Sequence, residues 1–212
     1  MPSALEKARR DPASMKARIL ATARRVFGHN GYHGTTTRMI AKAVGIDIST
    51  LYYHWGEKND LYEAVIADLN EELRLKFLEV EDRARGQSLA KRLETAIEMM
   101  CDYLFDHPEV ANLILMRYVQ RVDPGQTLEV NVTAHVANIA IAMGLAPDKK
   151  SVPVKAKAQV LTLWHATLNF ISGQQVLGPM LGVAHADYVK VVKETLKFVL
   201  IPAFTAKTAN GR

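Results

Sequence analysis

Apolar residues return every three or four positions along most of this 212-residue chain, and nowhere do they alternate singly between turn residues. That periodicity is the signature of amphipathic helices and leaves no segment for a sheet. Ile19, Ala23, Val26 and Phe27 make a first stripe that stops near Asn30-Gly31. Two short helices follow, Thr36 to Val44, closed by Gly45, and Ile48 to His54, with Asp47 placed to cap it. Leu61, Val65, Leu69, Leu73 and Phe77 step by four. Leu89, Leu93, Ile97, Met100 and Leu104 run to His107-Pro108, and Glu109 to Gln120 runs to the turn Asp123-Pro124-Gly125. Leu128, Val132, Val136, Ile139 and Met143 form the next stripe. Two long helices close the chain, about Pro153 to Val176 and Ala186 to Phe204. The expectation is an all-α chain of about nine helices, with flexible tails at 1–13 and 205–212.

Composition narrows the class. Apolar residues are 49% and charged residues 23%, enough to exclude a disordered chain. A chain of this length buries roughly 70% of its unfolded surface and needs no disulfide or metal. Its single cysteine, Cys101, fits a reducing cytoplasm. The first residues carry charge and no apolar run, so no signal peptide is expected. The most apolar stretch, Ala158 to Ile171, is broken by Gln159, Thr162, His165, Thr167 and Asn169, so no membrane partner is expected.

The net charge of +5 is localised. Residues 1–62 hold ten Lys/Arg against five Asp/Glu, whereas residues 63–212 hold 17 of each sign. A basic segment joined to a neutral one points to a nucleic-acid module on a neutral body. Within the basic segment the two short helices meet at Ala43-Val44-Gly45-Ile46, where glycine permits a sharp turn. This is helix-turn-helix spacing, in which the second helix enters the DNA major groove. Ile40, Ala41, Val44, Ile46 and Leu51 would fix the angle between the pair.

These residues resemble the tetracycline-repressor-like (TetR family) bacterial transcription regulators. The resemblance is carried by Phe27 to Tyr32, by Thr35-Thr36-Thr37-Arg38 with Ile40, Ala41, Ala43, Gly45 and Ile46, by Ser49 to Trp55, and by Lys58 and Leu61. It covers about residues 14 to 62. It departs from the family at Asp47, Ser49 and Trp55, and at Met39, where an acidic residue would complete a capping box with Thr36.

The resemblance implies an N-terminal three-helix DNA-binding head (14–62) and a C-terminal helical ligand-binding and dimerisation domain (63–205). Phosphate contacts need donors near helix starts, which Thr36, Thr37, Tyr52, His54 and Lys58 supply, while Tyr53 is presented by the same helix. Base contacts fall to Ile48, Ser49 and Thr50 at the start of the reading helix, with Arg38 reaching from the helix before it. Lys58 opposes the dipole of the helix it opens, which a phosphate would explain. Arg24-Arg25 reads as solvated charge, and so does Arg9-Arg10, for which a minor-groove arm is the alternative.

In the body, the stripes Leu161, Trp164, Leu168 and Ile171, then Val191, Val192, Leu196 and Val199, mark the last two helices as the homodimer contact. Met99, Met100, Tyr103, Met116, Tyr118, His135, Trp164, His165 and Asn169 are soft or polar groups on apolar stripes and are candidates for a small, largely apolar effector. No zinc-like spacing occurs, and no cofactor is expected. Walker A, GxGxxG, HExxH and GxSxG are absent, so a catalytic role is not expected. The expected function is a DNA-binding regulator, by the family's common mode a repressor, that binds a palindromic operator as a homodimer and is released by its effector. The competing class is a nonspecific or architectural DNA protein with no effector.

Overall fold

The computed structural model describes residues 3–120 and 135–205. Among them every regular element is a helix: α1 (Ala4–Arg10), α2 (Met15–Gly34), α3 (Thr37–Val44), α4 (Ile48–Trp55), α5 (Lys58–Ala84), α6 (Leu89–Asp106), α7 (Pro108–Gln120), α8 (135–142), α9 (Val154–Ser172), α10 (Gln174–Leu181) and α11 (His185–Thr205). Leu128, Val132 and the turn at Asp123-Pro124-Gly125 lie outside the described residues.

Two helices exceed the expected nine. The supposed tail contains α1, which begins with a complete capping box: the Ser3 hydroxyl accepts from the Glu6 amide at 3.1 Å, and the Glu6 carboxylate accepts from the Ser3 amide at 2.6 Å. The helix expected to reach Val176 stops at Ser172. A Cβ on Gly173 would sit 2.9 Å from the Asn169 carbonyl oxygen, so the close turn there needs glycine. The chain then restarts as α10, which packs on α9 and α11.

The chain divides into two compact units, Met1–Leu73 with Asn112–Pro124, and Arg74–Ala111 with Gly125–Arg212. In the first unit Ile19, Phe27, Ile40, Leu51 and Leu61 are wholly buried. The expected core of the helix pair holds for Ile40, Ala41, Val44 and Leu51, while Ile46 is half-buried. In the second unit α6 packs along α11, with Leu93, Ile97 and Cys101 against Tyr188, Val192 and Leu196. Tyr188 donates its hydroxyl to the Phe170 carbonyl at 2.7 Å, tying α11 to α9. Lys193 joins Glu98 at 2.8 Å and also pairs with Asp102, and Lys197 pairs with Glu98 as well. Burial pushes the Cys101 thiol up to about 12, so it stays protonated and inert.

Candidate functional site

The two short helices of the head are built by local rules. α2 is kinked at Gly31 (φ 69°, ψ 177°), which directs the chain to Thr35. Thr35 is fully buried and donates its hydroxyl to the Gly31 carbonyl at 2.8 Å. Thr36 caps α3, its hydroxyl accepting from the Met39 amide at 3.2 Å. Gly45 takes the left-handed conformation (φ 80°, ψ 39°) and returns its amide to Ala41 and Lys42. Asp47 occupies the cap position of α4, yet its side chain makes no capping bond, contrary to the expectation.

Arg38, Ile48, Ser49, Tyr52 and Tyr53 are exposed, Tyr53 at 84% with its ring edge-on to His54. Thr37 and Thr50 are half-buried. The Tyr52 hydroxyl stands 3.4 Å from the Thr37 hydroxyl, which brings the two helices' candidate donors together. Two candidates are engaged within the head. Lys58 donates to the carbonyls of Tyr32 and Thr35, each at 3.1 Å, and lies 4.2 Å from the centre of the Tyr32 ring. These contacts give the lysine a structural reason the sequence did not reveal. Asp60 in the same turn of α5 accepts from the Glu57 amide at 2.9 Å and supplies the acidic group the helix start calls for. His54 is half-buried, with Nδ1 enclosed and lacking a hydrogen-bond partner. Burial first, and the Lys16 ammonium second, hold its imidazole below the ordinary pKa, so near neutral pH it carries no charge toward a phosphate.

One member of each arginine pair is engaged, while Arg10 and Arg25 are exposed as expected. Arg9 donates to Asp68 at 2.8 Å, and Arg24 is clasped by Glu72 with its side chain 15% exposed. The sequence reading missed Lys16, which donates to the His54 carbonyl, lies over the Trp55 ring and accepts the Trp55 indole N–H at its own carbonyl, 3.1 Å away. It missed Thr35 too, although the Thr35-Thr36-Thr37 run was a signal for it.

In the second unit a cavity of about 160 Å³ opens between α5, α6, α8 and α9. Of the nine effector candidates, Met100, His135 and Trp164 line it. Phe77 sets its ring 5.9 Å from His135 and 5.6 Å from Trp164. Met99, Tyr103, Met116, Tyr118, His165 and Asn169 do not line it. Tyr103 is buried beside Lys76 and His107, Tyr118 is 55% exposed, and the exposed Asn169 donates back to the His165 carbonyl. Periodicity identifies which residues face inward, but it cannot say which inward residues border a void. The wall residues it overlooked include Phe77, Arg74, Arg92, Asn138, Leu163 and Thr167.

Residues 19–65 match the family model of the bacterial regulatory proteins, tetR family. The head is that of a TetR-family regulator. The TetR-family resemblance extends to curated proteins. The transcriptional repressor AcnR of Corynebacterium glutamicum is 28% identical over 131 residues, 54% of this chain and 70% of AcnR. The negative regulator IcaR of the Staphylococcus aureus biofilm operon icaADBC is 45% identical over 49 residues, 23% of this chain and 26% of IcaR, so that likeness is of the TetR-family head alone. Beyond the head, the crystal structure of the transcriptional regulator FadR of Bacillus subtilis, in complex with stearoyl-CoA, superposes with a TM-score of 0.61 over 87% of this chain and 97% of FadR. At 15% identity it shows that the TetR-family fold continues through the body. Among the described residues no helix is long and apolar enough to cross a membrane, and no acidic, histidine or cysteine cluster could hold a metal.

Proposed function

We propose that the protein is a sequence-specific DNA-binding repressor that works in the bacterial cytoplasm, occupies a palindromic operator as a homodimer and is released by a small, largely apolar effector. The observation that carries this reading is the exposed face of α4 held beside α3 by the Gly45 turn and the Thr36 cap. Ile48, Ser49, Thr50 and Arg38 read bases in it; Thr36, Thr37, Tyr52, Tyr53, His54 and Lys58 set the register on the backbone. His54, neutral at its site, acts there through hydrogen bonding and packing. The head spans 14–62, and 63–205 carries effector and dimer contacts.

The cavity supports the effector. Its wall of Phe77, Met100, Ile139, Leu163 and Trp164 suits an apolar body, and FadR, of the same fold, is bound to stearoyl-CoA. Release then follows from population shift. The effector must prefer the arrangement that does not bind DNA, or it shifts nothing. One helix, α5, carries both Phe77 at the cavity and Lys58 at the start of α3. Displacement of Phe77 is therefore felt along the helix that braces the reading head.

The test is selection of genomic fragments by the purified chain at near-physiological salt. An enriched palindrome, preferred over random DNA by about 10³ or more, is expected. In Arg38→Ala and Thr50→Ala the preferred sequence should change, not only the affinity. Equal retention of all fragments, with affinity falling steeply with salt for each alike, would mean a nonspecific DNA protein instead.

A further inference from the structure

Two cations flank a pair of packed tyrosines in the head, Tyr62 buried and Tyr32 half-buried, and one of the cations comes from a distant part of the sequence. Tyr62 of α5 is 2% exposed and lies 4.8 Å from the Tyr32 ring and 5.0 Å from Phe27. On the Tyr32 side stands Lys58, whose ammonium also holds the Tyr32 and Thr35 carbonyls. On the Tyr62 side stands Arg117 of α7, 8% exposed, its guanidinium carbon 5.9 Å from the ring centre.

Burying a guanidinium is costly unless contacts hold it, and the Tyr62 ring is one of the contacts of Arg117. Nothing in helix formation asks for an arginine at this buried position of α7, where an aliphatic residue would pack without a charge. The arrangement beyond it ends at the reading unit. Lys58 joins Tyr32 to Thr35, Thr35 closes on Gly31, and the next residue, Thr36, caps α3.

We infer that Arg117 is a positioning residue for DNA recognition: through the rings of Tyr62 and Tyr32 it fixes the segment from Gly31 to Thr36 that sets where α3 begins. It touches neither base nor phosphate in this role. The inference rests on the DNA-binding reading of the head, and its residues all belong to one compact unit. It also gives α7 a function in the head: Asn112–Gln120 are part of that unit although they are far from it in sequence. Burial pushes the Tyr62 hydroxyl above its ordinary pKa while the Arg117 charge pulls it down, in keeping with the guanidinium facing that ring.

The experiment uses the full chain with Arg117→Gln and Arg117→Lys, read in two ways. The first is amide hydrogen exchange at Thr35, Met39 and Ile40, whose N–H groups bond to Tyr32, the Thr36 hydroxyl and the Thr36 carbonyl. The second is affinity for a duplex that the wild-type chain has selected from a randomised library. Arg117→Gln should speed those three amides about tenfold and weaken the duplex by about tenfold, while amides of the α2 core around Ala23 keep their rates. Arg117→Lys, which keeps a cation over the ring, should restore both to within about threefold of wild type. Unchanged exchange in Arg117→Gln would overturn the inference. So would equal acceleration across α2 and α3, which would make Arg117 a general stabiliser, or a lysine variant as impaired as the glutamine one. A wild-type chain that selects no duplex would overturn DNA recognition itself, and the exchange rates would still decide whether Arg117 holds the start of α3.

Discussion

Lys58 meets Tyr32 twice, donating to its backbone carbonyl at 3.1 Å and lying 4.2 Å from the centre of its ring. The same ammonium holds the Thr35 carbonyl, so two of its three donors are committed to the last turn of α2. In the proposed function the third is the one that would meet a phosphate. Lys58→Ala should therefore do two separable things. The head loses about 1–2 kcal/mol, because two charge-assisted bonds and a cation–aromatic contact disappear in a half-buried site. Affinity for every DNA sequence falls alike, and the slope of log affinity against log salt decreases by about one per head. Thermal unfolding measures the first and a salt titration the second. A stability loss with an unchanged slope would assign Lys58 to structure alone.

His54 makes the head sensitive to acid. Its folded-state pKa is held below the unfolded value of about 6.5, first by burial and then by Lys16. The sign follows from linkage. The unfolded chain takes up the proton more readily, so the contribution of His54 is complete above the unfolded pKa and is lost as pH falls through the folded one. Protonation would put a second cation beside Lys16 and charge an imidazole whose Nδ1 is enclosed. Unfolding temperatures compared near pH 7.5 and pH 5 should fall further in wild type than in His54→Gln, which cannot take the proton. Equal falls would place the acid sensitivity at other groups.

The head was largely legible in the sequence because local rules built it. Gly45 at a left-handed cap and Thr36 at an N-cap act within four residues, and their signals survive any packing. Met39 likewise leaves the α3 cap half complete, as its side chain implied. Lys58, Arg9 and Arg24 were misread for the opposite reason. Their partners Thr35, Asp68 and Glu72 lie 23, 59 and 48 residues away, and no local pattern announces them. The cavity was legible only as a set of inward-facing soft residues. Met100 and Trp164 border it while Tyr103, on the same helix face as Met100, packs instead against Lys76 and His107.

The two tryptophans divide between the units, so the cavity can be watched on its own. Trp55 is in the head and Trp164 lines the cavity. Replacing Trp55 with phenylalanine costs its indole bond to the Lys16 carbonyl, about 1 kcal/mol, and leaves one fluorophore. Titration with a small apolar probe such as toluene should then change the Trp164 emission saturably. Ala96 is on the cavity wall, and Ala96→Phe fills that space. In the Trp55→Phe background it should weaken the response at least about tenfold, a change of ~1.4 kcal/mol. A response that survives the filled cavity would move the ligand elsewhere.

Four of the residues whose apolar stripes suggested the homodimer contact are taken up inside the body. Leu168 and Ile171 are fully buried, and Val192 and Leu196 nearly so, all within their own body. A proline at Leu168 would therefore unfold the body and say nothing of a partner. Exposed on the last two helices are Val199 of that stripe at 55% and its neighbour Phe198 at 81% on α11, with Val176, Met180 and Leu181 among those on α10. A phenylalanine ring removed from water on each protomer contributes about 4 kcal/mol, taking about 150 Å² at 25 cal/mol/Å². Phe198→Glu withdraws that contribution from both copies of a twofold contact and sets two carboxylates against each other. The variant should sediment as a monomer where wild type is a dimer, with unchanged helix content because the side chain is 81% exposed among the described residues. Its operator affinity should fall with it, since one head alone grips one half-site. A dimer that withstands the charge would place the contact on another exposed apolar face, such as Leu75 and Leu78 of α5, which are 53% and 49% exposed.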